Sequence, residues 1–395
     1  MTPTQHVNIL GTRGIPAAHG GFETFAQKLA LHLVRQGIGV TVYCQTHDKN
    51  VRQGHRDSWN GVERVFFRPG RAGPMGTIEF DWKATRHVMG QPGVDLVLGY
   101  NTAVFCALQK IAGRRVYMNM DGIEWQRQKW SWPARQWLKA NEWIGAKLAN
   151  VPVADHPQIA AHILARTKRH SVVIPYGGER LFQVSERPLA DYGVEKDDYF
   201  ISIARPEPEN SILELVQAHQ LSCTTKKLLV LGNLNPANGY HRKLMQLSGQ
   251  RVLFPGGIYD PEVVASLRYH ARAYLHGHQV GGTNPSLVEA LGARNAVIAH
   301  DNRFNRWTAG PGQAYFRSPE DCARHIARLS VDELALRRAR HEARAQHELH
   351  FRWKSVLAKY QALLTAAPAA VPDMTVAQSG AVAQVADKGR QIAAE

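Results

Sequence analysis

The chain of 395 residues contains few cysteines, no Asp-x-Asp pair and no apolar run long enough to cross a bilayer. Its four cysteines, Cys44, Cys106, Cys223 and Cys322, lack the short spacings of a zinc site. Since no stretch resembles a signal peptide either, we expect reduced thiols and a cytoplasmic location. The missing Asp-x-Asp pair argues against transferases that hold a diphosphate through a divalent cation, so no metal or cofactor is expected.

The glycine fingerprint of dinucleotide-binding enzymes is also missing. The glycines of the first loop stand at positions 11, 14, 20 and 21, which is not the Gly-x-Gly-x-x-Gly spacing. The acid that should follow the second strand is not evident, because Gln45 and Thr46 come first. An NAD-dependent oxidoreductase is therefore only a secondary alternative.

The charge of the chain indicates an anionic partner. The formal net charge is +15, which suits nucleic acid, an anionic membrane surface or phosphorylated substrates. No helix-turn-helix, zinc-finger or RNA-binding aromatic motif accompanies it. A basic nucleic-acid-binding protein thus stays a less favoured alternative, and no nucleic-acid partner is predicted.

The order of apolar runs predicts two α/β domains. An apolar run at His6 to Leu10, a glycine loop, a helical pattern from Phe22 to Gln36 and an alternating strand at Ile38 to Cys44 open the first. Strands alternate with helices again from Tyr199 onward. The predicted fold is α/β, with two doubly wound parallel-sheet (Rossmann-like) domains facing a cleft.

Four segments follow from this pattern. Residues 1–178 form the first domain and residues 179–345 the second. A helix at 346–365, aromatic and apolar on one side, crosses back to the first domain. Residues 366–395 are small and polar without a periodic apolar face, and we expect a disordered tail.

The most informative stretch is Gly281-Gly282-Thr283-Asn284-Pro285-Ser286-Leu287-Val288-Glu289-Ala290-Leu291-Gly292. Asn284 suits a helix N-cap and Pro285 the first helical position. The amides of Ser286 and Leu287 would then be free to bind an anion, most often a phosphate. Glu289 could accept hydrogen bonds from sugar hydroxyls. The alternative is an ordinary capped helix with a solvated Glu289.

This stretch resembles the nucleotide-sugar signature of glycosyltransferase family 4, in its rhamnosyltransferase branch with an uncharacterised N-terminal domain. The family has an acid at the position of Gly281, and only the second acid, Glu289, is present here. GTRGIPAAHGGFETFAQKLA, MDGIEWQRQKW and RPEPEN also resemble that branch, which covers nearly the whole chain to about residue 365. The resemblance implies the GT-B fold. It also implies that Gly20, Gly21, Gly282 and Thr283 are substrate-binding residues.

Polar residues follow two strands of the first domain at its predicted ligand edge. Tyr100 and Asn101 come after the strand at Val94 to Gly99, and Asp121 comes after the strand at Arg115 to Asn119. A carboxylate at a strand end could hold sugar hydroxyls or take a proton. By the family resemblance, Asp121 stands near the sequence position at which related enzymes have an active-site histidine. Asp121 is therefore a catalytic candidate. The alternative is a turn aspartate that caps the next helix.

In the second domain, Arg205 follows the first strand. A guanidinium there could clamp a diphosphate and neutralise its charge as it leaves. A surface arginine paired with Glu207 is the alternative. Family 4 enzymes usually have a lysine at the position of Asn210, so one phosphate-binding charge is missing. Glu209 and Asn210 are nevertheless predicted to bind substrate.

Between Trp125 and Ala149, five tryptophans alternate with five basic residues. Tryptophan and cations on a helix favour an anionic membrane interface, whereas the alternative is that these rings are core. A lipid-linked acceptor would make such docking useful, and the protein would then be peripheral on the inner face of the cell membrane.

Together these features predict a retaining, metal-independent hexosyltransferase. Its donor, by the resemblance, is dTDP-L-rhamnose, with UDP- or GDP-hexoses as alternatives, and its acceptor is a lipid-linked or other saccharide in cell-surface polysaccharide synthesis. The leaving diphosphate would be stabilised by Arg205 and the helix start, while Glu289 would hold a ribose hydroxyl.

Overall fold

The chain divides into two compact units. The structure, a computed structural model, describes residues 5–18 and 20–367. One unit comprises the described residues up to Pro175 together with 354–367, and the other spans Tyr176–Trp353. The predicted boundary after residue 178 differs because the Gly178 amide donates to the Phe351 carbonyl at 2.7 Å, within the second unit. Beyond Ala367, the predicted tail lies outside the described residues.

Strands and helices alternate along both units. The strands are β1 His6–Leu10, β2 Gly39–Gln45, β3 His55–Trp59, β4 Val62–Phe67, β5 Val94–Leu98, β6 Val116–Asn119, β7 Val151–Ala154, β8 Val172–Val173, β9 Tyr199–Ile203, β10 Lys227–Leu231, β11 Val252–Gly256, β12 Ala273–His276, β13 Ala296–His300 and β14 Ala314–Phe316. The helices are α1 Gly21–Arg35, α2 Gly73–Val88, α3 Cys106–Ile111, α4 Trp132–Leu148, α5 Pro157–Thr167, α6 Ile212–Leu221, α7 Gly239–Gln246, α8 Pro261–Tyr269, α9 Pro285–Gly292, α10 Arg303–Ala309, α11 Pro319–Val331, α12 Glu333–His350 and α13 Trp353–Thr365.

The first unit is built on an eight-stranded sheet with the order β3-β4-β2-β1-β5-β6-β7-β8. Strand β3 pairs antiparallel with β4, and the other pairs are parallel. Right-handed crossovers place α1 on one face and α2, α3 and α4 on the other. Phe25, Leu29 and Leu33 of α1 are buried at the helical spacing that the sequence shows.

The second unit contains a six-stranded parallel sheet with the order β11-β10-β9-β12-β13-β14. Its strands are buried on both faces, since Phe200 belongs to one apolar cluster and Ile201 to another. A sheet covered on both faces is typical of doubly wound domains.

Several details differ from the predicted pattern. Helix α4 begins at Trp132, so Trp125 and Trp130 precede the helix that was expected to carry them. Strands β3, β7 and β14 and helices α2, α3, α5, α7, α10 and α11 were not predicted. None of the helices in residues 5–18 and 20–367 combines the length and apolarity that a membrane span needs.

Candidate functional site

The second unit has a topological switch point between β9 and β12. From β9 the chain moves through β10 to β11 on one side, and it returns to β12 on the other side of β9. At such a point the loops after the two strands diverge and leave a crevice at their carboxyl ends. The loops here carry Arg205 and residues 277–284, which brings several predicted site residues to one edge.

Helix α9 begins in this crevice with the predicted cap. Asn284 has extended backbone angles, its Oδ1 accepts from the Ser286 amide at 3.0 Å, and Pro285 occupies the first turn. The Leu287 amide donates to the Asn284 carbonyl at 3.1 Å. The expectation that the Ser286 and Leu287 amides are free for an anion is therefore wrong, because the cap residue itself satisfies both.

The side chains after the cap anchor the helix. Ser286 Oγ lies 2.6 Å from the Tyr274 hydroxyl and donates to the Ile203 carbonyl at 3.0 Å. Leu287 is wholly buried in the core. These contacts tie the start of α9 to the end of β9 and to Tyr274 of β12. For Ser286 and Leu287 the structure thus shows a scaffold role in fixing the helix start.

Glu289 forms an ion pair that the sequence analysis did not predict. Its Oε2 lies 2.9 Å from Nη2 of Arg268, a side chain only 7 % exposed on α8. Glu289 Oε1 has no hydrogen-bond partner among the residues that the structure describes. The Arg268 guanidinium fixes the position of the Glu289 side chain, so that its second oxygen can accept a hydrogen bond from a hydroxyl.

Arg205 follows β9 and is 64 % exposed, with Nη1 3.4 Å from Glu207 Oε1. The alternative pairing with Glu207 is thus present. An exposed pair of this kind is weak, so the guanidinium can exchange its partner for a diphosphate. Asn210 is buried and donates to the Arg205 carbonyl at 2.8 Å. Asn210, like the buried Glu209, shapes the Arg205 loop.

The sequence analysis did not single out two histidines, one at the end of β12 and one two residues later. The rings of His276 and His278 stack with centroids 4.4 Å apart and 9° between their planes. Burial lowers the pKa of His276 well below its ordinary value, and the neighbouring His278 and His300 lower it further. His276 is therefore neutral and supports His278, at the start of the loop 277–284. The adjacent Gly277 permits close packing, since a Cβ there would lie 2.2 Å from the Asn210 carbonyl oxygen.

The first unit has its own switch point, between β1 and β5. Gly11 follows β1 directly with φ +77°, and a Cβ on it would lie 2.2 Å from the Leu98 carbonyl oxygen. Only glycine allows this close approach. Gly20 adopts an extended conformation as the N-cap of α1, which begins at Gly21. The predicted glycines thus stand where the loop after β1 turns into α1.

Asp121 follows β6 at the same sheet edge, in the left-handed region at φ +48°. Its amide donates to Asn119 Oδ1 at 2.9 Å, and the N-cap of the next 3-10 turn is Ile123. Asp121 is therefore not the turn cap that the alternative proposed. Burial, with Glu124 nearby, raises the pKa of Asp121 to about 6. A strained residue with a shifted pKa at a strand end is a functional-site candidate.

The neighbours of Asp121 hold its loop in place. The buried Tyr100 donates to the Gly122 carbonyl at 3.0 Å and accepts from the Glu124 amide at 2.8 Å. Asn101 is exposed, and its carbonyl accepts from Trp137 Nε1 at 2.9 Å. Tyr100 therefore holds the 121–124 loop through two hydrogen bonds.

A further support comes from the end of the described chain. Tyr360 of α13 is wholly buried and its hydroxyl accepts from Asn119 Nδ2 at 3.0 Å. Because Asn119 Oδ1 also accepts from the Asp121 amide, the three residues form one chain of hydrogen bonds. We find no cluster of three or more His, Cys, Asp or Glu side chains suited to a metal ion within residues 5–18 and 20–367.

The comparisons with known proteins agree with this architecture. Residues 4–179 match the family described as "Domain of unknown function (DUF1972)". The predicted uncharacterised N-terminal domain is confirmed to that extent, and its rhamnosyltransferase branch stays a prediction. No curated protein matches the chain.

Solved structures resemble nearly the whole chain. Sucrose-phosphate synthase from Thermosynechococcus elongatus has a TM-score of 0.76 at 18 % identity, covering 91 % of this chain and 98 % of its own. HepE from Anabaena, in complex with UDP and glucose, has a TM-score of 0.71 at 15 % identity, covering 92 % and 100 %. The UDP-forming α,α-trehalose-phosphate synthase from Burkholderia xenovorans, in complex with glucose-6-phosphate, has a TM-score of 0.68 at 12 % identity, covering 92 % and 100 %. The predicted GT-B fold, with two Rossmann-like units, is confirmed.

Proposed function

We propose that this protein is a glycosyltransferase that uses a nucleoside diphosphate sugar. The observation that carries the proposal is the crevice between β9 and β12, at which Arg205 follows β9 and α9 begins with its capped Asn284, while Glu289 lies one turn further along α9 and is fixed by Arg268. Those groups match the phosphates and hydroxyls of such a donor. The similar solved structures are described with UDP, glucose and sugar phosphates, which supports the same class.

The site suggests how the donor would react. Arg205 would leave Glu207 and neutralise the diphosphate, and the positive end of α9 would favour the same charge. Glu289 Oε1 would accept a ribose hydroxyl. As the bond to the anomeric carbon breaks, charge grows on the phosphate oxygen, so a fixed cation stabilises the transition state more than the ground state. Attack on the same face, with the leaving phosphate taking the acceptor proton, would retain the anomeric configuration.

In the first unit, we assign Asp121 to the acceptor. The Asp121 carboxyl lies at a strand end and has a raised pKa. When ionised, this carboxylate would accept a hydrogen bond from the hydroxyl of the sugar acceptor. The Gly20-Gly21 turn and Asn101 lie at the carboxyl ends of β1 and β5, where they would line the acceptor's path.

For the finer identity of the substrates, dTDP-L-rhamnose is our proposed donor, on the resemblance of the sequence motifs. The solved relatives are described with UDP, which makes a UDP-hexose the competing donor. The proposed acceptor is a lipid-linked saccharide in cell-surface polysaccharide synthesis, reached from the cytoplasmic side of the membrane without a metal cofactor.

Donor identity is tested by thermal shift and hydrolysis with dTDP-rhamnose, UDP-glucose, UDP-N-acetylglucosamine, GDP-mannose and NAD, each in EDTA. One nucleotide sugar should raise the Tm and slowly release its diphosphate. Stabilisation by NAD alone would overturn the proposed function. Loss of turnover in EDTA, restored by a divalent cation, would overturn the metal-free reaction.

The role of Arg205 is tested with a matched variant. Arg205→Ala should lower kcat/KM for the donor by about 10²-fold or more, as removal of a transition-state charge partner does. Arg324 is also exposed and paired with a nearby acid, Asp321, so Arg324→Ala should leave kcat/KM unchanged. Full turnover by Arg205→Ala would show that Arg205 does not stabilise the leaving diphosphate.

A further inference from the structure

The exposed large apolar side chains of the first unit are concentrated on three consecutive helices. Every such residue in the described part of this unit lies on α2, α3 or α4. Ile111 is 85 % and Trp132 73 % exposed. Right-handed crossovers place these helices on one face of the sheet. We name as the aromatic face the outer surface formed by Met75, Trp82, Ile111, Trp132, Trp137 and Trp143.

Side-chain contacts connect α2 with α4 across this face. The rings of Trp82 and Phe105 have centroids 5.3 Å apart, and Trp137 Nε1 donates to the Asn101 carbonyl. The segment 101–105 therefore joins the two helices. A groove of about 520 Å³ runs beside Trp82 and includes Met75, Ile78 and Phe105, with Arg71 at its side. The aromatic face is thus a connected surface.

The exposed charges on these helices are all positive. The exposed charged residues of α2, α3 and α4 are Arg86, Lys110 and Lys139, all cations. Lys147 lies over the Trp143 ring, 5.9 Å from its centroid.

The acids of the same helices are engaged. Glu142 is buried, accepts from Trp125 Nε1 at 2.8 Å and pairs with Arg166. Asp81 accepts from Thr102, and Glu79 pairs with Lys83. The face therefore presents tryptophan rings and positive charge to solvent.

We propose that the aromatic face docks the protein on an anionic phospholipid bilayer, with the tryptophan rings at headgroup depth and the cations near lipid phosphates. Tryptophan prefers this depth, and each cation near an anionic surface is attracted to it. A second copy of the chain is a poorer occupant, because it would bring like charges together. The proposal rests on the proposed function only in the lipid-linked acceptor that gives docking a purpose.

The test is co-sedimentation of the full-length protein with phosphatidylcholine vesicles that contain or lack phosphatidylglycerol. Binding should require phosphatidylglycerol and weaken at high salt. The double variant Trp132→Gln/Trp143→Gln should lower the partition coefficient about tenfold or more, since both rings lose apolar contact with the interface. Phe182 is 69 % exposed in the second unit, and Leu349 there is exposed too, so Phe182→Gln/Leu349→Gln should bind as the wild type does.

Equal binding by the tryptophan variant, or no wild-type binding to phosphatidylglycerol vesicles, would overturn the proposal. Sedimentation equilibrium provides a second readout. A dimer that Trp132→Gln/Trp143→Gln disperses, without vesicle binding, would assign the face to a second copy instead. Vesicle binding requires no turnover, so a wild-type protein that binds vesicles yet hydrolyses no nucleotide sugar would refute the proposed function alone.

Discussion

Asp121 shows how a single residue combines strain, burial and titration. Its backbone is left-handed, its amide is held by Asn119, and its carboxyl has a pKa raised to about 6. The structure around it therefore stabilises the protonated form. An ionised Asp121 is available for chemistry only above that pH.

The pH profile of wild-type turnover should reflect this group. If ionised Asp121 orients the acceptor hydroxyl, kcat/KM falls as the pH drops through about 6. Asp121→Asn should lower kcat/KM by about 10²-fold or more and remove this acidic limb. A variant profile that keeps the limb would assign the ionisation to another group.

Stability gives an independent check on Asp121. Because the folded-state pKa is raised, the folded state binds the proton more tightly than the unfolded chain does. The wild type thus loses stability as the pH rises from 3.8 to about 6. Relative to wild type, the Tm of Asp121→Asn should rise across this window and stay level above it.

Residue identities were predicted more successfully than residue partners. Asn284 was predicted as the cap from its type and from the following proline, which are local signals. The same cap satisfies the Ser286 amide, so the anion site expected there was inconsistent with the cap itself. Arg268 stands 21 positions before Glu289, and only the packing of α8 beside α9 reveals the pair.

At the scale of elements, the sequence predicted the apolar strands of the sheets but not the close contacts between the loops and neighbouring strands. Apolar alternation predicted the central strands, whereas β3 was missed because His55–Trp59 is largely polar and lies at the sheet edge. Gly11, in contrast, marks a contact that no periodicity reveals. It lets the loop after β1 pass the backbone of β5.

Gly11→Ala tests this contact against a matched glycine. Gly113 has a similar φ, +71°, but a Cβ there meets nothing within 4 Å. Gly113→Ala should cost about 1 kcal/mol for the left-handed backbone alone. Gly11→Ala should cost at least about 2 kcal/mol more, because the methyl group must displace Leu98. Urea unfolding midpoints measure the loss of stability in both variants. Equal losses would show that the backbone of β5 can shift to accommodate the added methyl group at little cost.

At the scale of the whole molecule, the net charge of +15 creates a field that attracts anions. We expect the KM for a nucleotide sugar to rise with ionic strength while kcat changes little, because salt screens the attraction before binding rather than the bond-breaking step. Initial rates over a range of KCl concentrations measure this, with the Tm recorded alongside as a control for the fold. A KM independent of salt would show that only local contacts hold the donor.

The hydrogen bond between Tyr360 and Asn119 has a consequence for synthesis of the protein. The ribosome makes the Asp121 loop early, and domains generally begin to fold from the amino terminus as they emerge. The tyrosine that completes the support of that loop is translated 239 residues after Asp121. A nascent chain can therefore form most of its first sheet, but the 121–124 loop is not fully supported until α13 has left the ribosome.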